Sequence, residues 1–384
     1  MKLPFSYNWR NLWRRKTRTL LTALSIALVI FVSLMMLALS RGVTASIRDT
    51  AEPDNVLVLS KGAETLEFSA IDRRVLEVVR FSPLVAEQEG ERLASPELYF
   101  TSAVEVPGSD APPSQGLIRG VLPVALKVHR QVRVTAGRFP TAPGEIMAGP
   151  LAATQMDAPA SALEIGRELR IEGHPWRIVG QFAAPGTALE SEIWGPLDDL
   201  MVSSRREEFS LIAVKAASPA DVEEMVFDFT TRRDVLIDAR SEKDYYQAYA
   251  ASFRPVQTMT LAMAVMLVFG GVFTGMNTLF AAIMGRVREV GMLRTLGYTK
   301  ATIAFSFFLE ALLISVAGGI VGSALALFLN GLPMRIPMGA FRFQVDFSLV
   351  AVGLGLACLI GLLGVAWPLH RATRIKIVDA IRHL

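Results

Sequence analysis

Residues 255–285 read PVQTMTLAMAVMLVFGGVFTGMNTLFAAIMG, thirty-one residues between Arg254 and Arg286 without a charged side chain. A helix that crosses a bilayer needs about 20 mainly apolar residues. Core helices of soluble proteins rarely stay uncharged for so long. Three further runs share this character. Twenty-two uncharged residues separate Arg18 from Arg41, and twenty-three residues without Asp, Glu, Lys or Arg separate Asp346 from His370. Thirty-four separate Lys300 from Arg335, with Glu310 as the single interruption. The runs predict four transmembrane helices, at residues 19–40, 256–284, 302–329 and 347–368. The first run exceeds the roughly 7–15-residue apolar core of a signal peptide. The small-residue pattern around 38–42 is a weak cleavage site, so an uncleaved anchor is expected.

Composition agrees. The chain has 384 residues, 52% hydrophobic and 20% charged, against roughly 25% charged in soluble domains, and its mean hydropathy is +0.39. A simple soluble enzyme and an intrinsically disordered chain are both excluded. The net charge of +3 divides unevenly: residues 41–253 carry −10 and the remainder +13. The bases lie beside the apolar runs rather than as a patch on a folded domain, which argues against nucleic acid as a partner. One cysteine, Cys358, lies within an apolar run, so no disulfide framework exists within the chain.

Orientation follows from the short flanks. Residues 1–18 hold six bases, the 285–300 loop four and the 369–384 tail four, against two in the 330–346 loop. By the positive-inside rule, both termini and the 285–300 loop are cytoplasmic. Residues 41–253 and the short 330–346 loop are then extracytoplasmic. Residues 1–18 form a cytoplasmic amphipathic approach. Phe5, Trp9, Leu12 and Trp13 share one helical face, and Arg10, Arg14 and Arg15 lie on others, so Trp9 and Trp13 anchor at headgroup level while Arg14 and Arg15 reach anionic membrane lipid.

The inserted segment, 41–253, reads as a mixed α+β domain. Residues 56–59 and 98–106 are strand-like. Ser69 with Asp72 resembles a capping box before Ile71, Val75, Val78 and Val79. Alternation on both sides of Glu172, Gly173, His174 and Pro175 predicts a hairpin over 168–182. Residues 210–239 predict a β-α-β unit, with Ser218 as N-cap, Pro219 in the first turn and Val222, Met225, Val226 and Phe229 on one helical face. Tyr245, Tyr246, Tyr249 and Phe253 have near-helical spacing and predict a stalk continuous with the second span. The fold class is an integral membrane α-helical protein of four transmembrane helices, with this large domain between helices 1 and 2.

Catalytic patterns are missing from the sequence. None of the eight lysines follows a glycine, so no GxxxxGK[ST] phosphate loop exists. The four histidines, His129, His174, His370 and His383, are scattered, and no HExxH or GxSxG occurs. No catalytic, cofactor or metal residue is expected. Glu310 is the single ionisable group well inside a span, and an acid there calls for a partner such as Arg286, Arg288 or Arg294. Small residues, notably Gly318 and Gly322, predict close helix–helix approach.

Several segments resemble the FtsX-like ABC transporter permease family. Residues 285–297, GRVREVGMLRTLG, resemble its R-x-R-E-I-G-x-L-R-A-x-G loop. Glu310 and the glycines at 318–322 fall on its E-x-x-x-x-x-x-x-G pattern. Residues 368–382 resemble its P-x-x-R-A-x-R tail, with Lys376 and Ile377 in place of the usual proline region. Residues 11–22, NLWRRKTRTLLT, resemble its entry segment. In the inserted domain, AGRFP at 136–140 and PGEIM at 143–147 resemble the MacB-like periplasmic core domain. The resemblance implies a permease subunit of the bacterial inner membrane acting as a homo- or heterodimer. ATP would be used by a separate cytoplasmic ABC ATPase, with a periplasmic adaptor compatible with the arrangement. It implies mechanotransmission to the outer domain rather than a substrate path through the membrane. The 285–300 loop would couple to the ATPase through Arg286, Arg288, Glu289, Val290, Leu293, Arg294 and Leu296, with Val287, Val290, Leu293 and Leu296 as an apolar stripe. A non-transport receptor or anchor with an outer sensing domain, or a regulator of a cell-wall enzyme, is the competing expectation.

Overall fold

A computed structural model describes residue 13 and residues 16–109, 112–336 and 339–374. In chain order its helices of seven or more residues are α1 (Lys16–Asp49), α2 (Arg74–Arg80), α3 (Leu197–Ser203), α4 (Asp221–Thr231), α5 (Glu242–Ser252), α6 (Arg254–Met284), α7 (Val287–Thr295), α8 (Lys300–Phe328) and α9 (Phe347–Arg374). The strands of the main sheet are β1 (Asn55–Ser60), β2 (Ala94–Glu105), β3 (Ser114–Val121), β4 (Arg133–Gly137), β5 (Glu145–Ala148), β6 (Glu168–Ile171), β7 (His174–Ala183), β8 (Glu192–Pro196), β9 (Leu211–Lys215) and β10 (Ile237–Ser241). A separate hairpin joins β11 (Pro333–Ile336) to β12 (Gly339–Arg342). The chain divides into two compact units: Met1–Arg41, Pro255–Leu332 and Phe343–Leu384 form one, and Gly42–Arg254 with Pro333–Arg342 the other.

In the first unit, α1, α6, α8 and α9 are long and apolar enough to cross a bilayer. Lipid offers no hydrogen bonds, so every backbone group must be satisfied within its own helix. Hydroxyls are satisfied the same way: Thr22 Oγ1 donates to the Arg18 carbonyl at 2.9 Å and Ser25 Oγ to that of Leu21. The helices meet through small residues. A Cβ on Gly318 would lie 2.6 Å from the Ala23 carbonyl oxygen of α1, and one on Gly322 would lie 2.5 Å from that of Ala27. On the other side of α8, a Cβ on Gly319 would lie 2.5 Å from Ala357 Cβ of α9. The small-residue pattern at 318 and 322 is therefore the seat of α1 on α8.

The second unit is built on its ten-stranded sheet, whose path runs β10-β1-β9-β2-β3-β8-β5-β7-β4, with β6 pairing both β2 and β7. Followed in turn, β2, β3, β8, β5, β7 and β6 pair in a closed circuit of six strands. Closure of this kind removes free edges. The β6–β7 hairpin forms as the sequence predicts. Its turn residues Glu172 and Gly173 have φ of 52° and 77°, the positive values that a two-residue turn between twisted strands requires. β1 is buried on both faces. Val56 and Val58 join the core shared with α2, α3 and α4. Leu57 and Leu59 join the one that holds Ile47 of α1 and Tyr245, Tyr246 and Ala250 of α5.

The structure departs from the sequence reading in five places. Ser69 does not cap α2, because its hydroxyl accepts the Ser60 N–H; Asp72 Oδ1 accepts the Arg74 N–H instead. α4 begins at Asp221 rather than after a Ser218 cap, since the Asp221 N–H closes a turn onto the Ser218 carbonyl. The strand expected at 235–237 begins at Ile237 and pairs with β1, which separates it from β9. The stalk is interrupted: α5 ends at Ser252 and α6 begins at Arg254. Pro255 explains the break, as its ring crowds the carbonyl four residues back and it has no N–H to continue the ladder. Residues 330–346 are not a plain loop but carry β11 and β12, with Pro333–Arg342 belonging to the sheet unit.

A glycine-specific contact gives a direct test. Gly318→Ala or Gly322→Ala should destabilise the detergent-solubilised chain by about 1–3 kcal/mol through overpacking. Gly270→Ala, where a Cβ meets nothing within 4 Å, should be neutral or stabilising. Thermal unfolding of the three variants measures this, and equal midpoints would contradict the assigned α1–α8 contact.

Candidate functional site

Within the 285–300 segment, residues Val287–Thr295 form a helix, α7, rather than a plain loop. α7 ends in a Schellman motif: the Gly297 N–H donates to the Arg294 carbonyl and the Tyr298 N–H to that of Leu293. Gly297 takes φ of +91°, which is why glycine stands there. Thr299 then caps α8, its hydroxyl accepting the Thr302 N–H at 3.2 Å. At the start of α7, Arg286 is held on both sides. Its Nε donates to Glu289 and its Nη1 to Glu310, each at 2.9 Å, and its guanidinium stands 5.2 Å from the Phe307 ring. Of the three arginines weighed as partner for Glu310, the structure selects Arg286.

The expected apolar stripe is divided. Val290 is 6% exposed, and with Leu293 it faces Ile303, Ser306 and Phe307 of α8. These two residues fix α7 to its own chain and are not a free docking stripe. Leu296 is 69% exposed and Met292 is also exposed, as is Arg288. Arg288, Met292 and Leu296 follow helical spacing and make the outward face. Met292 was not singled out by the sequence, because its i+4 relation to Arg288 and Leu296 matters only once Val290 is known to turn inward. Glu289 and Arg294 are half-buried. Among the interfacial anchors, Trp13 is exposed with Lys16 Nζ 4.9 Å above its ring. Trp9, Arg14 and Arg15 lie outside the described residues.

A second cluster, which the sequence did not disclose, lies in the sheet unit. Arg119 of β3 is 1% exposed. Its Nη1 donates to Glu97 at 2.6 Å, and its Nε and Nη2 donate to Glu192 at 2.6 and 2.7 Å. Tyr99 and Trp194 are its direct neighbours on β2 and β8, with its guanidinium 5.0 and 6.0 Å from their rings. Trp194 Nε1 also donates to Glu192, and His129 Nε2 lies 2.8 Å from Glu97. Glu242, the first residue of α5, is buried with Oε1 4.0 Å from His129 Nδ1, and its Oε2 accepts the Glu52 N–H. Burial opposes ionisation of Glu97, but His129 and Arg119 outweigh it and hold the carboxyl at about 2. Burial works against the charged imidazole of His129, yet the Glu97 carboxylate keeps its pKa above the ordinary value. Burial raises Glu242.

Four membrane-length helices, with a mixed sheet domain between the first and second, define a multi-pass membrane protein. The chain matches the family described as MacB-like periplasmic core domain over residues 19–232, and that described as FtsX-like permease C-terminal over residues 261–377. It belongs to this family of permeases. It is 24% identical, over 417 aligned positions, to the macrolide export ATP-binding/permease protein MacB of Nitrosomonas europaea, covering 97% of this chain and 58% of that one. It is 22% identical over 232 positions to the uncharacterized ABC transporter permease YknZ of Bacillus subtilis, covering 57% of each. The chain thus spans under three fifths of the length of these relatives. The crystal structure of the periplasmic region of MacB from Actinobacillus actinomycetemcomitans aligns with a TM-score of 0.41 and 9% identity, covering 53% of this chain and 95% of that one.

The buried cluster sets a pH dependence. The raised pKa of His129 gives stability that is full below its unfolded value, about 6.5, and is lost as pH rises through the folded value. Glu242, raised by burial, acts in the same direction above its unfolded value. The depressed Glu97 gives stability present above its unfolded value and lost only as pH falls toward about 2. Unfolding of the full chain, followed by tryptophan fluorescence, should therefore shift to lower temperature as pH rises from 6.5 to 8.5. His129→Gln should flatten that slope; an unchanged slope would remove His129 as its source.

Proposed function

We propose that the chain is the transmembrane permease subunit of an ABC complex, passing ATP-driven conformational change from a separate cytoplasmic ATPase to the domain inserted after the first span. It exports or extracts a periplasmic or lipid-associated substrate; relatives named for macrolide and pyoverdine export support a transport role. The observation that carries this reading is α7: a short helix clamped to α8 by the Arg286–Glu310 pair, with an apolar and basic face, Arg288, Met292 and Leu296, exposed among the described residues. Such a face suits a groove in a partner, with Met292 and Leu296 as apolar anchors and Arg288 for an acidic rim. ATP binds the partner rather than this chain, whose sequence has no phosphate loop. Two copies of the permease, or this chain with a homologous one, complete the complex. The basic flanks support placing both termini and α7 in the cytoplasm of a bacterium, with the sheet unit in the periplasm.

Two measurements test this. Met292→Asp and Leu296→Asp should each reduce recovery of the ATPase that co-purifies with the wild-type chain by on the order of tenfold, since an unpaired carboxylate in an apolar groove costs several kcal/mol. Thermal unfolding should be unchanged, because both positions are exposed. Leu293→Asp should instead lower the unfolding temperature, because Leu293 packs inward. Full recovery of the ATPase by both exposed-site variants would overturn docking through α7. For orientation, in a Cys358→Ser background, cysteine at Ser203 should react with a membrane-impermeant maleimide on spheroplasts, and cysteine at Thr299 should react only after lysis. Reaction at Thr299 before lysis would reverse the topology.

A further inference from the structure

The sheet unit contains a cavity of about 390 Å³ lined entirely by its own residues, between the sheet face that carries Arg119, the end of α1, α5 and the β11–β12 hairpin. This falls in the range of about 300–1,000 Å³ that small-molecule sites occupy. The wall is aromatic. Tyr245 and Tyr249 are stacked with centroids 6.3 Å apart and planes 8° from parallel, and Phe253 meets Tyr249 edge-on at 5.7 Å. Tyr99, Tyr246 and Phe341 also line it.

The polar groups of the wall are unequal. The N–H groups of Arg119 point to Glu97 and Glu192, so this cation is already neutralised by two carboxylates. Glu67 differs. Its carboxylate accepts only a 3.4 Å bond from the Thr101 N–H and forms no ion pair among the described residues. Its charge acts on the cavity rings: burial first, then Tyr245, then Glu67 push the Tyr249 hydroxyl up to about 12. Thr65, beside it in the wall, has a buried Oγ1 with no hydrogen-bond partner. Phe68 is almost fully exposed and stands at the rim.

We propose that this cavity is a binding site for a small amphipathic organic cation, a protonated amine on an apolar ring-bearing frame. Aromatic faces attract a cation and bury its apolar frame. Glu67 supplies the opposing charge. An organic anion would meet Glu67 and Glu192, with the one cation of the wall already taken. The inference goes beyond the permease reading and does not rest on it, since it concerns binding to this chain alone.

The test uses the full chain in nanodiscs of zwitterionic lipid and three matched probes: 2-naphthylmethylammonium, 2-naphthylmethanol and 2-naphthoate. Calorimetry should give an affinity for the ammonium on the order of tenfold above that for the alcohol, with the carboxylate weakest. Glu67→Gln should bring ammonium and alcohol to within about twofold while leaving the alcohol unchanged. Tyr249→Leu should weaken both. Thermal unfolding of each variant confirms that the fold is kept. Absence of binding by the wild type, equal binding of ammonium and carboxylate, or an ammonium preference that survives Glu67→Gln would each overturn the proposal.

Discussion

Arg119 is the constraint on which the sheet unit turns. Three strands, β2, β3 and β8, each present a member of one ion cluster to the same place, and each member is fully buried. A one-residue slip of any of these strands would send its charged side chain to the opposite face of the sheet. Breaking a buried pair by losing one partner costs about 3–5 kcal/mol, whereas a well-packed apolar replacement is often neutral. The cluster is therefore better understood as fixing register than as adding net stability. It also reaches beyond the sheet. His129 carries it from Glu97 toward Glu242, so the first turn of α5 faces the same charges that align the strands.

The membrane unit solves a different problem with different means. Lipid tails are as apolar as leucine, so burying leucine between spans gains little, and association relies on close packing. Gly318, Gly319 and Gly322 let α8 approach α1 on one side and α9 on the other at distances that a methyl group would forbid. Among the described residues, Arg41 pairs with Asp346 at 3.6 Å where α1 leaves and α9 enters the membrane unit, while the Arg286–Glu310 pair has a different task. It fixes α7 onto α8, with Val290 packed beneath it.

How much of this was legible in the sequence depends on the range of the signal. The four spans were, because an uncharged run is a local property of composition. So was the β6–β7 hairpin, since Glu172 and Gly173 lie between two alternating segments; Gly318 and Gly322 marked a close helix contact, but which helix makes it was not legible. The pairing of Glu310 was narrowed to three arginines but not chosen, because Arg286, Arg288 and Arg294 differ only in the direction α7 gives them. The Arg119 cluster was invisible. Its carboxylates lie 22 and 73 residues away, and nothing near Arg119 in the chain marks it as buried. The α7 stripe was read from spacing alone, which cannot tell the side facing α8 from the side facing away.

The two ionic clusters contrast in a way that bears on their roles. Around Arg119 every carboxylate is sealed, and the aromatic rings of Tyr99 and Trp194 close the guanidinium off from water. Arg119 and Glu192 line the cavity, but they are spent on each other and on Glu97, so the cluster is structural. Around Arg286 the seal is incomplete: Glu310 is enclosed, but Glu289 has a side chain 44% exposed. The same arginine thus joins a buried acid on α8 to an open acid on α7, one residue from Arg288 and on the same short helix as Met292 and Leu296.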